Sequence, residues 1–357
     1  MKRAATIIVG VFVVLIAAVW IAMQFVPVDL WLYRRAATDR AGVPDIQISK
    51  PQELSVLLCG TNAPLPDPNR AGGCALIAAG DDLYVVDTGM GSVRNLMVWH
   101  VPLEKIRGVF FTHYHSDHIG DLGELRLQTW VAGRRAPLKA YGPPGVEDIV
   151  AGFNRAYSHD ADYRTAHHGE KMLPREDVDL VPVVIPMNGA TAPALNENGL
   201  KVTAIRVDHG PVKPAYGYRF DYNGRSVTIS GDTAPYHPLA IAARGSDVLV
   251  HEAQSNVMVT ILGDVLTKAN RPRPAKIMHD IQNYHTTPVQ AAQIANEAQA
   301  KLLVFTHINP PLPTRFAERA FVDGVSDVRP KGVLLGGDGT LIHLPGHSTE
   351  IEQTSLR

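Results

Sequence analysis

These 357 residues predict an α/β domain, and three observations carry the prediction. Short apolar runs at 54–59, 83–86 and 108–111 read as buried strands. Segments with helical spacing or caps stand among the strands, the clearest being Thr287-Pro288 at the head of an alanine-rich stretch. Finally, His113, His209, Asp232, His251 and His307 each fall just past the carboxyl end of a predicted strand. That edge is where ligands collect in open α/β sheets, because loops converge there.

With 45% hydrophobic and 19% charged residues, the chain can bury one large core. A formal net charge of −1 gives no global basic field, so nucleic acid is not the expected partner. Cys59 and Cys74 form no framework and lack metal-type spacing. We expect two free buried thiols, with pairing after export as the alternative.

Residues 4–26 are almost wholly apolar and follow Lys2 and Arg3. The length suits a bilayer-spanning helix and exceeds a signal peptide's apolar region, so 1–26 reads as an uncleaved transmembrane anchor. Lys2 and Arg3 favour an inner N-terminus, against the opposing pull of Arg34, Arg35 and Arg40. The expected location is a bacterial inner membrane, single-pass, with the catalytic domain on the periplasmic side. Residues 27–50 lack periodicity and carry Pro27, Gly42 and Pro44, so they read as a juxtamembrane linker. A domain over 51–345 and a tail over 346–357 complete the division.

Within the domain, Gly80-Asp81-Asp82 joins two strands as a hairpin, and Asp87-Thr88-Gly89 ends the second of them. Leu122, Leu125 and Trp130 lie at near-helical spacing. Residues 153–176 carry His159, Asp160, Asp162, Arg164, His167 and His168 and read as a surface loop by the site mouth. Asn223-Gly224 marks a second hairpin, and Ser230-Gly231-Asp232-Thr233 closes the strand after it. Residues 255–284 read as a lid or side wall. Trp130, Arg134, Arg135, Tyr163 and Arg164 are candidates for a pocket that takes an anionic ester.

The chemistry concentrates in Thr112-His113-Tyr114-His115-Ser116-Asp117-His118. On an extended segment His113 and His115 project together, while Asp117 and His118 reach a second point after the chain turns. Imidazoles with a carboxylate suit a borderline cation such as zinc, and two clusters this close suit two ions. A polar loop with chance histidines is the plain alternative. Three of the chain's 15 histidines within six positions argue against it.

This stretch matches the His-x-His-x-Asp-His signature of the metallo-β-lactamase superfamily. From about Leu54 to His307 the chain resembles its ribonuclease Z-like branch, which also holds phosphodiesterases and zinc-dependent arylsulfatases. The resemblance implies an αββα sandwich, two packed sheets flanked by helices. It implies two Zn2+, with Mn2+ or Fe2+ as alternatives. His113, His115 and His209 would hold one ion, Asp117, His118 and His307 the other, and Asp232 would bridge them. Asp87 becomes support behind the site. His251-Glu252-Ala253 and His285-Thr286-Thr287 match two further elements of the branch, although Gln254 departs from its threonine. By that analogy Glu252 orients His285, which protonates the departing oxygen, while His251 is structural and Asp117 joins the catalytic set.

The leading expectation is a membrane-anchored dizinc hydrolase that cleaves phosphodiester or sulfate-ester bonds of a small anionic ester with hydroxide held between the ions. A ribonuclease Z-type RNA 3′-end endonuclease, a lactone hydrolase and a catalytically silent metal-holding module are the alternatives. A dedicated tRNA-processing role is not expected. The branch's long RNA-gripping arm would lie between His209 and Asp232, where the hairpin over 216–229 leaves no room. The oligomeric state is open, with a homodimer among the options.

Overall fold

The computed structural model describes residues 2–43 and 45–356, leaving aside the side chains of 2–7, 9 and 22. It separates into two compact units, Met1–Asp45 and Ile46–Arg357.

The first unit differs from the expectation of one spanning helix followed by a linker. A helix covers Lys2–Ala22 and a second covers Val26–Ala41. Pro27, read from sequence as a breaker, stands in the first turn of the second helix, where a missing N–H costs nothing, with Asp29 beside it. Among the described residues no single helix is long and apolar enough to cross a membrane. The bent pair Gly10–Ile21 and Val26–Ala41 meets the length and composition test only jointly, across a 90° break.

The second unit contains two sheets. Its strands are β1 (Leu54–Gly60), β2 (Cys74–Ala79), β3 (Asp82–Val86), β4 (Ile106–Phe110), β5 (Leu138–Gly142), β6 (Leu180–Val184), β7 (Thr191–Glu197) and β8 (Leu200–His209). They continue with β9 (Val212–Tyr222), β10 (Arg225–Ile229), β11 (Val248–Gln254), β12 (Leu302–Asn309), β13 (Val333–Leu335), β14 (Thr340–Leu344) and β15 (Glu352–Ser355). One sheet runs β15-β14-β1-β2-β3-β4-β5-β6 and the other β13-β12-β11-β10-β9-β8-β7. The stretch expected as a tail after residue 345 thus supplies an edge strand, β15, paired antiparallel with β14.

Alternation along the strands fixes the layers. Leu54, Val56, Leu58 and Phe110 face Tyr218, Phe220, Val250 and Val304 across the sandwich. Leu57, Val85, Val109 and Phe111 face outward beneath Leu96, Leu125 and Val150 of flanking helices. On the far side Leu249, Leu303 and Phe305 pack beneath Ala291, Ala292 and Ala295. Both sheets are therefore covered, which gives the αββα arrangement. Thr287 caps the helix Pro288–Glu297 through a reciprocal box with Gln290, as Thr287-Pro288 predicts.

Two local expectations fail. Cys59 and Cys74 form a disulfide, not a pair of free thiols. The β1–β2 register shifts between Leu58 and Gly60, which pairs with Cys74, and this leaves Cys59 as the extra residue beside Cys74, with Cα atoms 5.0 Å apart. The expected loop around His159 is the helix Ser158–His168, held on the domain by Ala161 packing with Leu127 and Trp130.

The strands β3, β4 and β5 are parallel, as are β10, β11 and β12. Their carboxyl ends gather the chemistry-bearing residues at one edge.

Candidate metal centre

Asp232 lies at the centre of the cluster. It follows β10, is 3% exposed, and its Oδ2 lies 3.4 Å from the Nε2 atoms of His118 and His307. The same oxygen lies 3.8 Å from His209 Nε2 and 3.9 Å from His113 Nε2. Two triads flank it: His113, His115 and His209 on one side, Asp117, His118 and His307 on the other. Within each triad the ligand atoms fall within 4.8 Å of one another. The structure thus brings together every residue expected to hold metal.

His118 and His209 are aimed by what their other nitrogen meets, and His307 by the backbone. His118 Nδ1 lies 2.8 Å from Asp87 Oδ2, and Asp87 is fixed by Thr112, whose N–H and hydroxyl donate to its two oxygens at 2.9 and 2.7 Å. His209 Nδ1 donates to the Tyr284 carbonyl at 3.1 Å, leaving its buried Nε2 without a hydrogen-bond partner. His307 is reached by a bulge in β12: Glu252 pairs with Thr306 and Ala253 with Ile308, so His307 is the extra residue. Its φ of 48° turns the ring out of the ladder and into the cluster.

The donor set fits cations. His118 Nε2 and His307 Nε2 face each other at 3.2 Å, with the Asp117 and Asp232 carboxylates against them. A cation between them satisfies all four groups at once. Burial and neighbouring imidazoles hold the His113 pKa well below its usual value. Burial also opposes charge on His118, yet Asp232 and Asp87 outweigh it and raise that pKa. The Asp232 carboxyl, despite its burial, is held far below the ordinary carboxylate range by His307 and His118. Imidazole donors with ionised carboxylates are a zinc-class set.

At the edge of the cluster, His285 Nδ1 lies 2.9 Å from Glu252 Oε1, and the same oxygen accepts the Thr233 N–H at 2.9 Å. Burial lowers the His285 pKa, but the Glu252 charge and hydrogen bond outweigh it and push it up to about 9. His251 faces the other way, buried, with Nδ1 donating to the Glu252 carbonyl at 2.7 Å. The segment after β11 is a helical hairpin, Asn256–Lys268 and Pro272–Asp280, held by the buried Gln254 through Asn256 and the Ile281 carbonyl.

Thr112, Thr233 and the Tyr284 carbonyl were not among the residues predicted from sequence. Thr112 and Thr233 lie directly beside a metal-type residue, and that adjacency is the one signal they carry. The proposed anionic pocket does not form as expected. Trp130 and Arg134 are buried and spend their N–H groups on Pro174, Asp177 and other backbone carbonyls, while Arg164 pairs with Asp160.

A family model described as "Beta-lactamase superfamily domain" matches residues 83–308. Ribonuclease Z of Mycobacterium bovis (strain BCG / Pasteur 1173P2) is 35% identical over 262 residues, covering 72% of this chain and 87% of its own length. Ribonuclease Z of Mycobacterium avium (strain 104) is 35% identical over 263 residues, with the same coverage. The metallo-β-lactamase fold protein YhfI from Bacillus subtilis superposes with a TM-score of 0.59 at 21% identity, covering 82% of this chain and 99% of that one. Human tRNase Z, short form, superposes at 0.58 and 21% identity with the same coverage. These relatives overturn the expectation that nucleic acid is not a partner. That expectation rested on net charge, which averages over the whole surface, whereas phosphate binding depends on the local field at one cleft. The fold, the site and these relatives together establish that the chain is a hydrolase of the metallo-β-lactamase superfamily, akin to the ribonucleases Z.

Proposed function

We propose that this chain is a ribonuclease Z-type endonuclease that hydrolyses phosphodiester bonds near RNA 3′ ends, with two zinc-class ions. The observation that carries the reading is the His285–Glu252 pair set beside the Asp232 cluster. Zinc-class ions, when bound, bring a water's pKa near 7 and offset charge on phosphoryl oxygens. His113, His115 and His209 would hold one, Asp117, His118 and His307 the other, and Asp232 would serve both.

The chain's own residues then perform the remaining steps. Glu252 fixes the His285 tautomer, so that Nε2 carries the proton that passes to the departing oxygen as the P–O bond breaks. The Glu252 charge and hydrogen bond favour the protonated imidazole, opposing its burial. Between β9 and β10 only the Asn223–Gly224 turn intervenes, so no arm projects there and RNA is gripped by the surface around the site.

The test is cleavage of precursor RNA carrying a 3′ trailer by the zinc-loaded full chain. A cut at the trailer junction, weakened steeply by salt, is expected. Brisk hydrolysis of bis-p-nitrophenyl phosphate with the RNA left intact would overturn the RNA reading while leaving phosphodiester hydrolysis standing.

A further inference from the structure

A cavity of about 590 Å³ adjoins segments that carry the metal-type residues; its walls include Pro144, Met187, Tyr216 and Tyr236, with Arg206 and Lys213 also lining it. Its volume lies within the range of about 300–1,000 Å³ typical of small-ligand sites. Three of its walls extend from segments that build the centre. Asp208 precedes His209, and its carbonyl accepts the Ala234 N–H at 2.7 Å, which ties the His209 turn to the segment after Asp232. Tyr216 donates its N–H to the Thr112 carbonyl at 2.9 Å, next to His113. Pro144 adjoins Pro143, whose carbonyl accepts the hydroxyl of Tyr114, the residue between His113 and His115.

The charges of this cavity are free to act on a ligand. Arg206 and Lys213 are exposed, and among the described residues neither forms an ion pair; the Arg206 guanidinium donates to the Met187 carbonyl, at 2.7 Å. Asp208 also lines the cavity and accepts the Gly210 N–H at 3.3 Å, so the lining charge is two cations against one carboxylate. Pro144, Met187 and the half-buried Tyr236 offer an apolar and aromatic wall to the face of a base, and Arg206 and Lys213 of the same lining offer cations to the phosphate joined to it.

We propose that this cavity is a nucleotide subsite, binding the base and phosphate next to the scissile phosphodiester. The proposal rests on the RNA reading above and adds where the substrate's neighbouring nucleotide lies. It assigns Arg206 and Lys213 to phosphate binding and Tyr236 to base stacking, none of them at the reacting atoms.

The test uses the metal-loaded full chain and a phosphorothioate-linked dinucleotide with a terminal phosphate, titrated by calorimetry beside inorganic phosphate. Wild type should bind the dinucleotide at least tenfold more tightly than inorganic phosphate. R206A/K213A should lose at least fivefold of the dinucleotide affinity and keep its affinity for inorganic phosphate, and R206K/K213R should restore it. The salt dependence of binding should fall by about 0.7 in log–log slope for each phosphate that the variant no longer neutralises. Equal dinucleotide binding by wild type and R206A/K213A overturns the subsite, as does a wild type that prefers inorganic phosphate. Cleavage of the precursor RNA is scored separately: dinucleotide binding through these cations without RNA cleavage sinks the RNA reading and leaves the subsite standing.

Discussion

Two imidazole–carboxylate pairs, His118–Asp87 and His285–Glu252, lie in the same site with nearly equal spacing, 2.8 and 2.9 Å. In both, the carboxylate meets Nδ1, which fixes the tautomer and leaves Nε2 to act. The difference is in what Nε2 faces. His118 Nε2 looks into Asp117, Asp232 and His307, deep in the cluster. His285 stands beside His209 and Tyr284, and it joins His209 and Asp232 in a group whose ligand-type atoms lie within 4.8 Å of one another. The supports differ too: Asp87 receives two bonds from Thr112, whereas Glu252 receives one backbone N–H and keeps Oε2 unpartnered. On the proposed function, the same pair of groups would serve metal holding in one place and proton delivery in the other.

The comparison can be broken most forcefully at Asp232. Asp232→Ala should lose at least one ion per chain by metal analysis and reduce hydrolysis to background, because both triads share that carboxylate. Full metal occupancy in the variant would remove Asp232 from its bridging role. His285→Ala should keep both ions yet lose about 10²–10⁴-fold in kcat. The loss should be smallest for p-nitrophenyl esters, whose leaving groups need no proton; an equal loss across leaving groups would end the proton-delivery assignment.

A sharper separation comes from neutralising each carboxylate. Asp87→Asn should weaken metal affinity by about 10–100-fold, as loss of a ligand's supporting group does. Glu252→Gln should leave metal affinity unchanged and lower kcat, by less than His285→Ala does. If chelator competition shows the two variants to be alike, the pairs do not divide the work. The smallest effect belongs to Thr112→Val, which removes one hydroxyl bond to a buried carboxylate and should cost about 1–3 kcal/mol in a denaturant titration.

The cluster was legible partly because strand ends and metal-type spacing are local patterns and partly through the family resemblance, which assigned the ligands and set His251 apart. His113, His115, Asp117 and His118 fall within six consecutive positions, and Asp232 and His307 follow recognisable apolar runs. The flanking helix at Thr287-Pro288 was legible for the same reason. What escaped depends on register or on partners distant in the chain. Nothing periodic announces the β1 bulge that brings Cys59 to Cys74, and the short strands β13 and β15 exist only through their neighbours. Pro27 can stop a helix or begin one, and the residues around it do not choose between the two. Arg134 has the charge of an anion-binding group, yet its guanidinium is spent on backbone carbonyls that sequence does not reveal.

His307 occupies the left-handed region at φ 48°, a conformation that costs a non-glycine residue roughly 1–3 kcal/mol. On the proposed ligand set, metal coordination would offset that cost, and only with the ion bound. The chain therefore carries a built-in conflict between durability and use: His307→Asn, with a side chain that tolerates this backbone, should melt no lower than the metal-free parent while being inert. Selection for heat resistance alone, without selection for turnover, would discard this histidine early.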